Sequence, residues 1–232
     1  MTATADTTAE GAPVITIDGP SASGKGTISQ ALSEHLGWHY LDSGSLYRLL
    51  AFAALRNGVA LDDAPGLVAL VARLGTTCRL PVAGDPAVLL DGQDVRNELR
   101  TEVAGDAASR IAVLPTVRAA LLDWQRNCRQ APGLVADGRD MGTVVFPTAE
   151  LKIFLTASPR VRAERRYNQL KNIGKEADLE ALVVEVEARD RRDSERASAP
   201  LRPAEDAILL DNSALNEAQT LAAVLDAVHK KL

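Results

Sequence analysis

A short apolar segment is followed at once by a glycine-rich loop, a lysine and an amphipathic helix. Residues 13–18 (PVITID) are largely β-branched and apolar, which predicts a buried strand. A helical pattern runs from Lys25 to Leu36 and ends at Gly37. The spacing GxxxxGK between a strand and a helix is typical of a loop whose backbone N–H groups and lysine bind phosphate oxygens. The predicted ATP-binding residues of this loop are Gly19, Pro20, Ser21, Ala22, Ser23, Gly24, Lys25, Gly26 and Thr27.

The residue after the loop lysine departs from the commonest form of the motif. Gly26 stands where serine or threonine is usual, and Thr27 supplies a hydroxyl one position later. We expect Thr27 to be an oxygen ligand of Mg²⁺. The GKGT form is typical of nucleoside-monophosphate kinases. The sequence contains no Asn-Lys-x-Asp motif for reading guanine. Two alternatives remain, a small kinase or a nucleotide-binding module that hydrolyses ATP slowly.

Composition limits the class of protein further. The chain has 232 residues, a length that fits one large domain, and its net charge of −5 argues against general binding to nucleic acid or membranes. Cys78 and Cys128 form no CxxC pair, which fits a reducing compartment. Residues 1–13 lack the charged and apolar blocks of a targeting signal, and we expect a disordered tail. No apolar run approaches the ~20 residues of a membrane helix, so we expect a cytoplasmic protein that does not enter a membrane.

Strands and helices alternate along most of the chain, which predicts an α/β fold with a parallel sheet covered by helices on both faces. The further predicted strands are 38–41, 134–136, 151–155 and 208–210. The further predicted helices are 45–56, 65–74, 115–129, 160–171, 178–193 and 215–231. Two short extended runs around the turn VAGDP interrupt this alternation and predict a small antiparallel sheet.

Arginines and acids follow two of these strands and predict a second anion site. Ser43 and Arg48 follow the strand at 38–41. In parallel sheets, ligands bind beyond the carboxyl ends of the strands, so both residues are well placed to contact one. Asp137, Arg139 and Asp140 follow the strand at 134–136. An arginine between two acids fits an anion clamp, with Asp137 near Mg²⁺ and Asp140 reading a base or sugar.

Two arginine-bearing helices follow the strand at 151–155, and we expect them to form a mobile lid. We assign Arg162 and Arg166 of the first helix to ATP. Near the second helix Arg189, Asp193 and Arg196 recur at i, i+4 and i+7, which predicts a shared face. A lid of this kind supplies cations to the transferring phosphoryl group and excludes water.

The chain resembles the bacterial cytidylate (CMP/dCMP) kinases over nearly all of its length after residue 13. The matching segments are ITIDGPSASGKGT, LDSGSLYR, ASRIAVLPTVRAAL, VADGRDMGTVVFP, SPRVRAERR and ARDRRDSERASAPL. The resemblance implies the three-layer P-loop kinase fold, with a five-stranded parallel sheet, a lid and a small antiparallel β insert. The implied division is a core of 14–63, 111–157 and 203–232, a nucleotide-binding insert of 64–110 and a lid of 158–202.

The same resemblance implies a reaction and the residues for it. It implies transfer of the ATP γ-phosphate to CMP or dCMP by a monomer that uses Mg²⁺. Ser43, Arg48 and Arg139 would contact the acceptor phosphate, and Ser109, Arg118 and Asp140 would read cytosine. Arg189, Asp193 and Arg196 would close over the sugar and the transferring phosphate, so the catalytic assignments are Lys25, Arg139 and Arg189. The alternatives are a kinase for UMP, AMP or a small hydroxy acid such as shikimate, and an ATP-binding module without an acceptor.

Overall fold

Five strands form one parallel sheet in a computed structural model that describes residues 11–79 and 88–232. The order across the sheet is β2-β6-β1-β7-β8. The strands are β1 (Val14–Asp18), β2 (His39–Asp42), β6 (Leu134–Gly138), β7 (Leu151–Thr156) and β8 (Ile208–Asp211). In register, β7 lies between β1 and β8, with Ile17 opposite Ile153 and Ile153 opposite Ile208. The predicted α/β fold with a parallel sheet is confirmed.

Helices connect these strands and lie around the sheet. They are α1 (Lys25–Leu36), α2 (Ser43–Arg56), α3 (Ala64–Thr77), α4 (Arg96–Leu99), α5 (Glu102–Ile111), α6 (Pro115–Asn127), α7 (Pro159–Asn172), α8 (Leu179–Ser194) and α9 (Glu217–Lys231). Several of the helices begin at a residue whose side chain caps them. Asp42 caps α2 through the N–H of Ser45, and Asn216 forms a capping box with Gln219 at the start of α9. None of the helices in the described residues is long and apolar enough to cross a membrane.

The predicted small antiparallel sheet is also present. It consists of β3 (Cys78–Arg79), β4 (Leu89–Leu90) and β5 (Gln93–Asp94). The predicted turn at 82–86 lies outside the described residues, as do residues 1–10 of the predicted tail. Nearer the first strand, the Ala12 carbonyl accepts a hydrogen bond from Arg129 Nε at 2.6 Å.

The chain forms two compact units. Of the described residues, one unit comprises 11–14, 33–79 and 88–136, and the other comprises Ile15–Leu32 with Asp137–Leu232. The core of the first unit is built by α2, α3, α5 and α6, with Leu50, Leu67 and Leu121 fully buried. In the second unit, α9 packs against β7. The finer division into core, insert and lid stays a prediction.

Candidate active site

The loop at 19–27 joins β1 to α1 in a conformation that requires glycine at two positions. A Cβ on Gly19 would lie 2.0 Å from the carbonyl oxygen of Leu155, so any other residue would collide with β7. Gly24 has a φ of +88°, a conformation that residues with a side chain rarely adopt. Ala22 is held at a φ of +58°, which is strained for a residue with a Cβ. The surrounding structure therefore imposes the shape of this loop.

Cationic and amide side chains hold three carbonyl groups of the loop. Lys25 Nζ donates to the Pro20 carbonyl at 3.0 Å, and Arg162 Nη1 donates to the Ser21 carbonyl at 3.1 Å. The Ser23 carbonyl accepts from Arg165 Nη1 at 3.1 Å and from Asn212 Nδ2 at 3.0 Å. These hydrogen bonds direct the three carbonyl oxygens toward the side chains that hold them. The backbone N–H groups of the loop can then point toward a bound anion.

Arg162 lies at the centre of a buried network. Its side chain is only 2% exposed, and its guanidinium forms a bidentate pair with Asp190 of α8 and donates through Nε to the Ala157 carbonyl at 2.9 Å. A contact of Arg162 with ATP stays a prediction, whereas its contact with the loop backbone is observed. Arg166 is half-buried and donates to Gln169 at 3.4 Å, and its ATP contact also stays a prediction.

Asp18 is a residue that the sequence analysis missed. It ends β1, is 5% exposed, and accepts the N–H of Met141 at Oδ1 and the N–H of Gly142 at Oδ2, each at 2.8 Å. Burial raises the pKa of Asp18 to about 6, although both hydrogen bonds and Lys25 act in the opposite direction. The signal available in the sequence was an acid at the end of a buried strand, directly before a phosphate loop.

The two hydrogen bonds of Asp18 shape the segment after Asp140. Met141–Val145 forms a π-helical turn, which the sequence did not predict because MGTVV reads as an extended apolar run. Gly142 packs so closely on β1 that a Cβ would lie 2.8 Å from Thr16 Oγ1. Asp140 is 4% exposed, and its charge helps to raise the pKa of Asp18.

Arg139 lies among three carboxylates. Its Nε donates to Asp193 Oδ2 at 2.9 Å, and its side chain is 19% exposed. Burial alone would lower the pKa of Arg139, but the charges of Asp193, Asp137 and Asp18 raise it above its ordinary value. The predicted clamp residue Arg139 is therefore a cation held next to Asp193 and Asp137, both selected in the sequence analysis, and next to Asp18, which was not.

Asp193 interacts with three arginines, two of which belong to the predicted lid. Burial would raise the pKa of Asp193, but Arg139, Arg196 and Arg189 together hold it below its ordinary value. The structure therefore brings these four residues together. The predicted common helical face is wrong in one respect, because α8 ends at Ser194 and Arg196 follows it. Arg196 is instead held by a hydrogen bond from Nη2 to the Ala199 carbonyl at 2.7 Å.

Thr27 and Asp137 are the two predicted oxygen ligands for a metal. Thr27 lies in the first turn of α1 and is exposed, whereas Asp137 is 5% exposed at the end of β6. Within residues 11–79 and 88–232 no group of three or more histidine, cysteine or acidic side chains is placed to hold a metal ion. The role of Thr27 and Asp137 toward a metal stays a prediction.

Ser43 and Arg48 belong to the other unit, at the start of α2. Ser43 is 5% exposed and is the first residue of the helix. Arg48 Nη1 donates to the carbonyl of Leu99, the last residue of α4, at 2.8 Å. The cation thus lies against the C-terminal end of a helix, where carbonyl groups carry partial negative charge.

Ser109 and Arg118 lie in the same unit as Arg48, on α5 and α6. Ser109 is half-buried. The guanidinium of Arg118 stacks over the ring of Tyr47 at 5.7 Å and donates to the Ala112 carbonyl at 3.3 Å. A cation–π contact of this kind fixes the plane of the guanidinium. Arg118 is thus held by two contacts, and the roles of Ser109 and Arg118 in reading cytosine stay predictions.

Comparison with known proteins identifies the family. The sequence profile described as cytidylate kinase matches residues 15–230. The cytidylate kinase of Aeromonas hydrophila is 54% identical over 221 residues, covering 95% of this chain and 96% of that protein. The cytidylate kinase of Pseudomonas entomophila is 56% identical over 214 residues, covering 90% and 92% of the two chains. That of Shewanella baltica strain OS155 is 50% identical over 224 residues, covering 96% and 97%. The chain belongs to the cytidylate kinase family.

Proposed function

We propose that this protein transfers the γ-phosphate of ATP to CMP or dCMP, forming ADP and CDP or dCDP. The observation that carries the proposal is the pairing, within one unit, of a shaped phosphate loop with an arginine cluster. The loop contains the buried Lys25, and the cluster surrounds Asp193. An ATP-binding module would need the loop alone, whereas a phosphotransferase also needs fixed cations for a second phosphate. Membership of the cytidylate kinase family supports CMP and dCMP as acceptors.

The donor half of the reaction is assigned to the loop at 19–27. The backbone N–H groups and the N-terminus of α1 would bind the β- and γ-phosphates of ATP, and Lys25 would neutralise charge on them. An acceptor phosphate oxygen attacks the γ-phosphorus in line, and the bond from that phosphorus to the β–γ bridging oxygen breaks. The protein contributes orientation and charge neutralisation.

Thr27 and Asp137 are the residues that we propose for Mg²⁺. Hydroxyl and carboxylate oxygens suit this hard cation, which usually takes one or two carboxylates together with substrate phosphates and water. The absence of a three-acid group in the described residues fits that pattern. When bound, Mg²⁺ would neutralise phosphate charge and help to orient ATP.

The acceptor half is assigned mainly to arginines. Arg139 would contact the acceptor phosphate, and Arg189 and Arg196 would act on the sugar and the transferring group. Ser43 and Arg48 are also assigned to the acceptor phosphate. This role for Arg139 is supported by its fixed charge beside Asp193. Closure of the proposed lid, 158–202, would exclude water that could otherwise accept the phosphoryl group.

Base choice is assigned to Asp140 with Ser109 and Arg118. Cytosine carries an exocyclic amine that can donate a hydrogen bond to a carboxylate. Uracil carries a carbonyl oxygen at that position, which can only accept one. Replacing Asp140 with asparagine should therefore lower the ratio of kcat/KM for CMP over UMP by about tenfold or more. Asp226→Asn, on the exposed face of α9, is the matched control. An unchanged ratio in Asp140→Asn would contradict this assignment.

The reaction itself is tested by measuring ADP formed from Mg-ATP with CMP, dCMP, UMP, AMP, shikimate or no acceptor. The proposal predicts rapid ADP formation with the two cytidine nucleotides alone. Slow ADP formation that does not depend on an acceptor would favour an ATP-binding module instead. Rapid turnover with AMP or shikimate would leave the phosphotransferase chemistry in place and overturn the acceptor.

The remaining assignments are a monomeric state and a cytoplasmic location. The monomeric state is a family expectation. For the cytoplasmic location, the free thiol of Cys128, whose pKa burial raises to about 11, agrees with a reducing compartment. Light scattering on the purified protein should give the mass of one chain, and a dimer mass would contradict the first expectation.

A further inference from the structure

The carbonyl group of Ser23 is held by two side chains that lie far from it in the sequence. Arg165 comes from α7, and Asn212 follows the last residue of β8. The Asn212 side chain donates to Ser23 O at 3.0 Å, and its own Oδ1 accepts from Arg165 Nη1 at 3.1 Å. The two residues and the carbonyl therefore form one closed set of hydrogen bonds. Neither residue belongs to the loop motif or to the predicted ATP-binding set.

Asn212 is itself immobilised by the sheet. It is 3% exposed, and its backbone N–H donates to the Thr156 carbonyl at 2.9 Å, which continues the pairing of β8 with β7. Its carbonyl accepts from Arg165 Nη2 at 2.8 Å. The amide that holds Ser23 is thus fixed at both its backbone and its side chain, and it moves only if the end of the sheet moves.

Holding the Ser23 carbonyl also fixes the direction of the next N–H. The Ser23–Gly24 peptide is trans, since the one cis peptide bond in the described residues precedes Pro132. In a trans peptide the C=O and the N–H point in opposite directions. With the carbonyl directed at Arg165 and Asn212, the N–H of Gly24 points away from them. An opposite orientation would turn a carbonyl dipole toward the bound phosphate and repel it.

Gly24 makes this restraint necessary. Because it has no Cβ, the peptide before it can rotate at little steric cost, and its φ of +88° already lies in a region that glycine enters freely. A Cβ placed on Gly24 would lie 3.7 Å from Asn212 Nδ2 and 3.8 Å from Arg165 Nη1, so both side chains adjoin this residue. The glycine that permits the loop conformation also allows the Ser23–Gly24 peptide to rotate. The hydrogen bonds from Asn212 and Arg165 prevent that rotation.

We propose that Asn212, acting with Arg165, is a positioning residue that holds the Ser23–Gly24 peptide in its anion-binding orientation and thereby sets the affinity for the phosphates of ATP. This inference rests on the proposed function, in which the loop at 19–27 binds those phosphates. Asn212 acts through the loop backbone and touches no substrate. Its effect therefore falls on ligands that carry a polyphosphate and not on the acceptor nucleotide.

The test compares Asn212→Ala and Asn212→Asp with the wild type. The aspartate keeps the size of the side chain and can still pair with Arg165, but it has no N–H to give to Ser23. Calorimetric titrations with ADP and with inorganic tripolyphosphate measure the affinity of the loop, and the KM for CMP is measured beside them. Asn172→Ala, at the exposed end of α7, is the matched control. Thermal unfolding confirms that each variant is folded at the temperature of the titration.

We expect both Asn212 variants to bind ADP and tripolyphosphate about tenfold more weakly, with the KM for CMP within about twofold of wild type. Folded Asn212 variants that bind both ligands as tightly as wild type would overturn the inference. An equal rise in the KM for CMP would also overturn it, since that pattern indicates a general structural role. Failure of the wild type itself to bind either ligand would instead contradict the proposed function of the loop.

Discussion

The phosphate loop and the predicted acceptor residues both use arginines bound to backbone carbonyls, but for different purposes. In the loop, Arg162 and Arg165 hold carbonyls of the loop itself, so that backbone N–H groups are left for the anion. In the other unit, Arg48 and Arg118 donate to carbonyls at the ends of α4 and α5, and the arginines themselves are the proposed ligands. The proposed donor site thus consists of backbone that side chains support, whereas the proposed acceptor residues are side chains that helix ends support.

This difference separates the consequences of mutation. A change to a side chain that supports the loop should weaken the binding of ATP, because it alters the geometry of the loop backbone. A change to an acceptor arginine should remove a direct contact and affect CMP alone. Substitutions at Lys25, Arg139, Arg48 and Arg118 test that separation, and a substitution at Asp18 tests the buried acid beside the loop; they are given in order of decreasing expected effect.

The largest effect is expected at Lys25, which is the one side chain of the loop that serves both purposes. It is 7% exposed, holds the Pro20 carbonyl, and would neutralise charge on the transferring phosphate. Lys25→Ala should lower kcat by about 10³-fold or more, by analogy with the loss of a transition-state donor. Steady-state kinetics with saturating CMP measure this, with Lys230→Ala at the exposed end of α9 as the control. Near-normal turnover in Lys25→Ala would contradict the donor assignment.

Arg139 should show the next largest effect, on the acceptor side. Arg139→Ala removes the cation paired with Asp193 and should lower kcat/KM for CMP by about 10²–10³-fold, while the KM for ATP changes little. The control is Arg191→Ala, an exposed arginine of α8. If Arg139→Ala left turnover intact, the clamp would be assigned to the wrong residue.

We expect Asp18 to make the free energy of unfolding depend on pH. Because its folded pKa of about 6 lies above the ordinary value of 3.8, its contribution to stability is complete below about pH 4 and is lost as the pH rises through 6. Between these limits the free energy of unfolding of the wild type should fall relative to that of Asp18→Asn, by an amount on the order of 3 kcal/mol. Urea unfolding at several pH values measures the difference.

The control for this pH series is Asp226→Asn, whose side chain is exposed. Asp18→Asn also leaves one of the two N–H groups of Met141 and Gly142 without its acceptor, but that cost does not vary with pH. A difference between wild type and Asp18→Asn that stays constant from pH 4 to pH 7 would show that Asp18 does not titrate in this range.

The smallest effects are expected at Arg48 and Arg118, since each is one of several proposed contacts with CMP. Arg48→Ala and Arg118→Ala should each raise the KM for CMP by about tenfold and leave the KM for ATP unchanged. Arg110→Ala, an exposed residue of α5, is the control for both. Equal changes in the KM for ATP and for CMP would contradict the prediction that the two regions act on different substrates.

The elements predicted correctly have their pattern within one continuous segment, although such a segment can still be missed, as the π-helical turn at Met141–Val145 was. The helix at Lys25–Leu36 was predicted to the residue, because it begins at the phosphate-loop lysine and Gly37 follows it. The contact of Asn212 with the loop could not be predicted, because it joins residues 189 positions apart and depends on where β8 ends. For the same reason the anchoring of Met141 by Asp18 was missed, although both residues lie in recognised motifs.

The acceptor residues show a different limit of sequence reasoning. Ser109 and Arg118 were selected through family resemblance, because a serine and an arginine on helices carry no local signal of binding. Arg189 and Asp193 carried such a signal in their helical spacing, and the structure does bring them together around Arg139. Helical spacing failed only for Arg196, where the helix had already ended.

Phosphorylation of cytidine monophosphates is tested by competition between acceptors. The purified enzyme is offered Mg-ATP with an equimolar mixture of CMP, UMP and AMP whose bases are radioactively labelled, and the labelled diphosphates formed early in the reaction are separated and quantified. The unlabelled ADP that every transfer leaves from ATP is not counted. The proportions of the labelled products equal the ratios of kcat/KM, without any comparison between separate assays. Labelled CDP should be the dominant product, and labelled UDP or ADP in amounts equal to labelled CDP would show that the enzyme does not select cytidine nucleotides.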